Sequence, residues 1–122
     1  MLRNDFYTIL SKNVINENSF SATISINEKH DIFNGHFPQN PVVPGVCMLQ
    51  MVKDLLEDEL QKTVQLKNIG NVKFTAVVNP TQNPTLDIKI TYELTDGKSY
   101  KINSIISSKE VVFLKIVNAI YF

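Results

Sequence analysis

Residues 35–52 read GHFPQNPVVPGVCMLQMV, and the helix that they lead into sets the terms for any fold of this chain. Pro44 suits a first helical position, where its missing N–H would have no partner anyway, and the helical pattern runs from there to about Leu60. Val46, Leu49, Val52, Leu56 and Leu60 recur at spacings of three and four, with Met48, Met51 and Leu55 widening the stripe. The front of the helix is apolar nearly all round and is therefore expected to be buried. Lys53, Asp54, Glu57, Asp58 and Glu59 crowd its last turns and are expected to form a solvated end.

The rest of the chain supplies a wrapping. Residues 6–15 and 20–26 have strand character; in the second, Phe20, Ala22, Ile24 and Ile26 alternate with Ser21, Thr23 and Ser25, and NENS at 16–19 is the turn between them. After the helix, residues 65–78, 85–94, 99–107 and 111–121 read as four more strands, expected to follow one another as an antiparallel meander. Asp96-Gly97 predicts a two-residue hairpin turn, since such turns need positive φ at their centre. One buried helix between two strands and four more predicts an α+β architecture, a strongly curved antiparallel sheet wrapped around a central helix, with residues 1–122 as one domain.

Composition narrows the function classes. Twelve Lys and Arg balance twelve Asp and Glu, so no net charge points to nucleic acid or an anionic membrane. The apolar run at 42–49 is too short to span a bilayer, and no apolar core follows Arg3 and Asp5 near the start, so a soluble, cytoplasmic protein is expected. Cys47 is the single cysteine, which leaves no intrachain disulfide and no multi-cysteine metal site.

The string GHFPQNPVVPGV, with the order strand, strand, helix, four strands, resembles the hotdog fold and, within it, the 3-hydroxyacyl-acyl-carrier-protein dehydratases of fatty-acid synthesis. The family pattern G-H-F-P-x-x-P-V-x-P-G-V is matched in register by Gly35, His36, Phe37, Pro38, Pro41, Val42, Pro44, Gly45 and Val46. NVKFTAVVNP, residues 71–80, is a weaker echo of a family strand with a Lys-Phe pair. The fold alone would license no activity, because hotdog domains include dehydratases, thioesterases and other acyl-thioester binders.

Dehydration of a 3-hydroxyacyl thioester needs a base for the C2 proton, polarisation of the thioester carbonyl and help for the departing 3-hydroxyl. The resemblance implies that His36 is the base; an imidazole of ordinary pKa, about 6.5, is largely neutral at pH 7. The backbone N–H groups of Gly45 and Val46, at the positive end of the helix, would stabilise the developing oxyanion. Phe37 and Pro44 complete the implied substrate-binding set.

The third requirement meets a departure. Related dehydratases carry Glu or Asp fourteen residues after the histidine, where this chain has Gln50. An amide gives up no proton at neutral pH but can donate and accept hydrogen bonds, so Gln50 is expected to orient the hydroxyl or a water, or else to pair with buried backbone or a dimer mate. Elimination from one face would let His36 take the C2 proton and return it to the leaving hydroxyl. The resemblance further implies a homodimer or a trimer of dimers, with two sites at the dimer interface and the acyl group on the phosphopantetheine of acyl carrier protein or CoA. It implies no other cofactor, no metal, no nucleic acid and no membrane.

Two alternatives remain open: an acyl-thioesterase of the same fold, and a non-catalytic acyl- or carrier-protein-binding subunit. Among the other candidates, His30 is expected at the solvent surface, Cys47 as a small core side chain, and Met48 and Met51 as core or tunnel lining. Arg3, Lys98 and Lys101 are cations that could meet an acidic carrier protein.

Overall fold

The computed structural model describes residues 3–35 and 40–122. Strands β1 (Tyr7–Asn16) and β2 (Ser19–Ile26) form a hairpin, followed by a single helical turn α1 (Ile32–Gly35) and the long helix α2 (Gly45–Leu60). Then come β3 (Leu66–Asn68), β4 (Asn71–Phe74), β5 (Thr85–Thr95), β6 (Ser99–Ser108) and β7 (Val111–Tyr121). All pairings between these strands are antiparallel, in one seven-stranded sheet of order β1-β2-β5-β6-β7-β3, with β4 also on β7.

Alternation in the strands turns one face of the sheet onto α2. Phe20 lies opposite Ile90, Ala22 opposite Ile88, Ile24 opposite Leu86, and Ile106 opposite both Ile88 and Leu114. These side chains are buried with Cys47, Met48, Met51, Val52, Leu55 and Leu56 of the helix in one core. At about 0.8 kcal/mol per buried CH2, this shared apolar surface is the main force holding the sheet closed over the helix.

The strand after the helix departs from the expected meander. Residues 65–78 do not form one strand beside β5; they make two short strands on β7, at the far side of the sheet, while β5 pairs with β2. The break is local. Gly70 takes φ of 65°, and its N–H is held by Asn68 Oδ1 at 2.8 Å, which turns the chain between β3 and β4. Beyond Phe74 the chain leaves the ladder, and the segment with Pro80 and Pro84 carries it across to β2, where Ile26 N donates to Pro84 O at 2.8 Å.

The Asp96-Gly97 turn has positive φ at both residues, 44° and 78°, as its sequence demands. The register places Thr95 opposite Ser99, so Lys98 belongs to the loop, which has three residues instead of the expected two. The first hairpin closes through Glu17 and Asn18, with Asn16 opposite Ser19. Strand β1 lies at the sheet edge and carries two register shifts, between Ile9 and Ser11 and between Val14 and Asn16.

Pro44 precedes the helix instead of opening it. Its φ and ψ of −61° and 142° are extended, and its carbonyl accepts from Cys47 N at 3.0 Å and Met48 N at 3.3 Å. Gly45 is the first helical residue, and Gln61 ends the helix in the left-handed conformation at φ 54°. The helix front is not buried all round as expected: Val46 is 72% exposed in the single chain.

Candidate active site

The helix start is the first part of the site. The first carbonyl to accept, that of Pro44, serves Cys47 and Met48, so the N–H groups of Gly45 and Val46 have no partner within the helix. They point along the positive end of the helix dipole, where an oxyanion is stabilised. Phe74, at the end of β4, lies against this point; a Cβ on Gly45 would come within 2.8 Å of Phe74 Cζ. Only a residue without a side chain lets the aromatic ring approach the helix start this closely.

Beside it opens an apolar cavity of about 220 Å³, shared by Val42, Val43, Gly45 and Met48 on one side and Phe74, Ala76, Val77 and Val78 on the other. Val43 N donates to Val78 O at 2.9 Å, which ties the approach to the helix to the segment leaving β4. The Lys-Phe strand therefore supplies a wall of the cavity as well as an echo of the family pattern. His36 and Phe37 lie outside the described residues.

The second part of the site lies one and two turns along the helix. Gln50 is half-buried, and its Nε2 donates to Asp54 Oδ1 at 2.8 Å. Asp54 is wholly buried, contrary to its expected place in a solvated helix end. Tyr7 of β1 donates its hydroxyl to Asp54 Oδ2 at 3.1 Å, and Arg3 Nη2 donates to the Asp54 backbone carbonyl at 3.3 Å. Burial of a carboxylate is tolerable because such donors replace water.

Burial pushes the Tyr7 phenol well above its ordinary pKa, and the Asp54 charge adds to the rise, so Tyr7 remains a donor. Burial works against the Arg3 cation, but its contacts with Tyr7 and Asp58 more than offset this and leave its pKa raised. The neighbouring carboxylates are also engaged. Arg3 Nη1 meets Asp58 at 3.3 Å, Lys12 meets Glu59 at 2.7 Å, and Glu57 Oε2 accepts from Val64 N at 2.9 Å. The acidic end thus fastens the helix to β1 and to the chain on either side. Asp54 was legible only as a residue four positions from Gln50, hence on the same helical face.

The remaining candidates are structural. Cys47 is buried, and burial pushes its thiol pKa up, away from a thiolate. His30 is half-buried instead of solvent-exposed: its Nδ1 accepts from Ile32 N at 3.0 Å, its Nε2 meets Asp5 Oδ2 at 3.1 Å, and Phe6 packs edge-on at 5.4 Å. Because Nδ1 accepts, a neutral ring carries its proton on Nε2, toward Asp5. Met48 and Met51 are buried in the core. Among the described residues there is no cluster of three or more His, Cys, Asp or Glu able to hold a metal, and no helix long and apolar enough to cross a membrane.

The 3-hydroxyacyl-[acyl-carrier-protein] dehydratase FabZ of Lactococcus lactis subsp. lactis is 34% identical over 84 residues, covering 63% of this chain and 56% of that protein. The FabZ of Latilactobacillus sakei subsp. sakei is 39% identical over 77 residues, 57% of this chain and 52% of the relative. The chain thus matches about half the length of these curated relatives. The dehydratase heterocomplex ApeI:P from Xenorhabdus doucetiae contains a similar chain, with a TM-score of 0.71 at 18% identity over 92% of this chain and 95% of that one. The curved sheet around its helix is a hotdog fold. The family model for ApeI-like proteins, described as ApeI dehydratase, matches residues 12–113. With most of its length matched, the chain belongs to the ApeI-like dehydratase family.

Proposed function

We propose that this protein dehydrates 3-hydroxyacyl thioesters, with the acyl group carried on the phosphopantetheine of an acyl carrier protein or CoA, in the synthesis of fatty acids or related acyl chains. The observation that carries the reading is the meeting of the Gly45 and Val46 N–H groups, without a partner among the described residues, with an apolar cavity walled by Phe74. A thioester carbonyl seated on those amides would place the acyl chain against apolar side chains.

In this mechanism His36 takes the proton from C2, and charge builds on the thioester oxygen at Gly45 and Val46. The C2–H electrons form the C2=C3 double bond as the C3–O bond breaks. The imidazolium returns the proton to the leaving hydroxyl, so that water and a trans-2-enoyl thioester leave. Phe37 and Pro44 help to seat the substrate, and Gln50 orients the hydroxyl. The working unit is a dimer, which is supported by large exposed apolar side chains at the helix start and the outer edge segment: Val46, Leu66, Ile69, Phe74 and Val77.

The test is an absorbance assay of hydration and dehydration with short and medium acyl thioesters, run beside a free-thiol assay. Interconversion of the enoyl and 3-hydroxyacyl forms is expected, without thiol release; thiol release alone would make the chain a thioesterase. Two variants sharpen it. Gln50→Glu is expected to bring no gain in kcat, whereas a gain of about a hundredfold would mean that a separate acid is missing. Gly45→Ala is expected to keep the fold, since the half-exposed Phe74 can shift, and to lower kcat/KM by about tenfold to a hundredfold.

A second reading is favoured by one observation, that the similar solved chain comes from a dehydratase heterocomplex. In that reading the chain pairs with a different hotdog subunit and is silent alone. Acyl-thioester binding without turnover, with activity appearing on addition of a carboxylate-bearing homologue, would establish it.

A further inference from the structure

A primary amide has two unlike ends, an NH2 that only donates hydrogen bonds and a carbonyl that only accepts them. Which end a glutamine turns to a ligand decides what it can do there. In this chain Asp54 makes the choice. Its carboxylate, wholly buried one turn beyond Gln50, receives Gln50 Nε2 on one oxygen at 2.8 Å and the Tyr7 hydroxyl on the other at 3.1 Å. A carboxylate accepts only, so reversing the amide would set two acceptor oxygens face to face inside the protein, an arrangement that buried polar groups avoid.

We propose that Asp54 is a positioning residue that holds Gln50 with its NH2 turned inward, leaving Oε1 to accept the hydrogen of the substrate's 3-hydroxyl. This rests on the dehydratase reading and deepens it. The carboxylate that relatives carry at the position of Gln50 is not replaced in kind; a carboxylate one turn farther on acts through the amide. The hydrogen bond from Nε2 also polarises the amide and strengthens Oε1 as an acceptor.

With its own hydrogen held by Oε1, the hydroxyl presents its lone pairs to the His36 imidazolium. The C3–O bond then breaks as the proton taken from C2 reaches that oxygen, and water leaves with one hydrogen of its own and one from C2. No external acid is needed. Among the described residues, Arg3 and Tyr7 face Asp54 from the N-terminal segment and β1, and Tyr7 stays a donor throughout.

The experiment joins two readouts on wild type, Asp54→Asn and Asp54→Glu: the side-chain amide signals of Gln50 by nitrogen-15 NMR, assigned by their absence in Gln50→Glu, and steady-state kinetics with 3-hydroxyhexanoyl thioester. In wild type one Gln50 amide proton is expected downfield and slow to exchange. Asp54→Asn is expected to lose that signature and to lower kcat by about tenfold to a hundredfold with KM within about twofold, and Asp54→Glu to recover part of kcat.

An unperturbed Gln50 amide in wild type overturns the proposal even if Asp54→Asn does not fold. So does a folded Asp54→Asn variant with wild-type kcat. A wild-type protein that shows the bound amide but turns over no thioester overturns the hydroxyl as the ligand and the dehydratase reading with it, while leaving the amide orientation standing.

Discussion

His36→Ala is expected to lower kcat for dehydration by about a hundredfold to ten-thousandfold while leaving the melting temperature and circular dichroism spectrum as in wild type. The expected effect is large because the proposed one-base route gives both proton transfers to one imidazole, with no second acid at Gln50 to retain part of the rate. In a two-residue mechanism the loss would be shared. Stability should not follow activity, because the core that closes the sheet over α2 draws on side chains of β2, β5, β6 and β7. An alanine variant that keeps the wild-type rate would remove the imidazole from the mechanism. One that loses rate and melting temperature together would make His36 structural.

The second large effect falls on stability. Gly70→Ala is expected to cost on the order of 2–4 kcal/mol and to lower the melting temperature by roughly 10 °C. Gly70 has φ of 65°, and a Cβ there would collide with the carbonyl oxygens of Val117 and Asn118, the latter 2.6 Å away. Both are backbone atoms of β7, so neither can swing aside as a side chain would. The strain would be relieved by pulling β3 and β4 away from β7, which moves Phe74 from the helix start. Thermal unfolding and kcat/KM measured on the same variant decide the point. A melting temperature within about 2 °C of wild type would mean that the turn is softer than its contacts suggest.

Local signals carried much of this fold, and non-local ones did not. The alternation in residues 20–26, the spacing from Val46 to Leu60 and the positive φ demanded by Asp96-Gly97 are properties of neighbouring residues, and each element stands within a residue or two of its expected place. Pairing is different. Nothing in residues 65–78 says that their partner is β7 and not β5, because that choice is made by the crossover through Pro80 and Pro84 and by burial against α2.

The site divides along the same line. Gly45, Val46 and Gln50 are candidates read from a contiguous motif and a fixed interval. Asp54 is not legible because a charged residue among four others reads as solvated surface, and the donors that make its burial tolerable include Tyr7, forty-seven positions away in the chain. Phe74 was known as half of a dipeptide, while its contact with Gly45 depends on where β4 crosses the helix start.

The two register shifts in β1 bear on how this molecule can associate without limit. An antiparallel sheet with two open edges is a monomer for polymerisation, since each edge offers a row of unpaired amides to the next copy. The shifts after Ile9 and after Val14 bend that edge and interrupt its spacing, and they fall beside Leu10, Val14 and Ile15, the exposed apolar residues that would otherwise attract a further strand. Growth is thus discouraged at one end of the sheet. Copies that pair through the opposite edge would use up the favourable surface in a single closed contact, giving a particle of fixed size instead of a fibre.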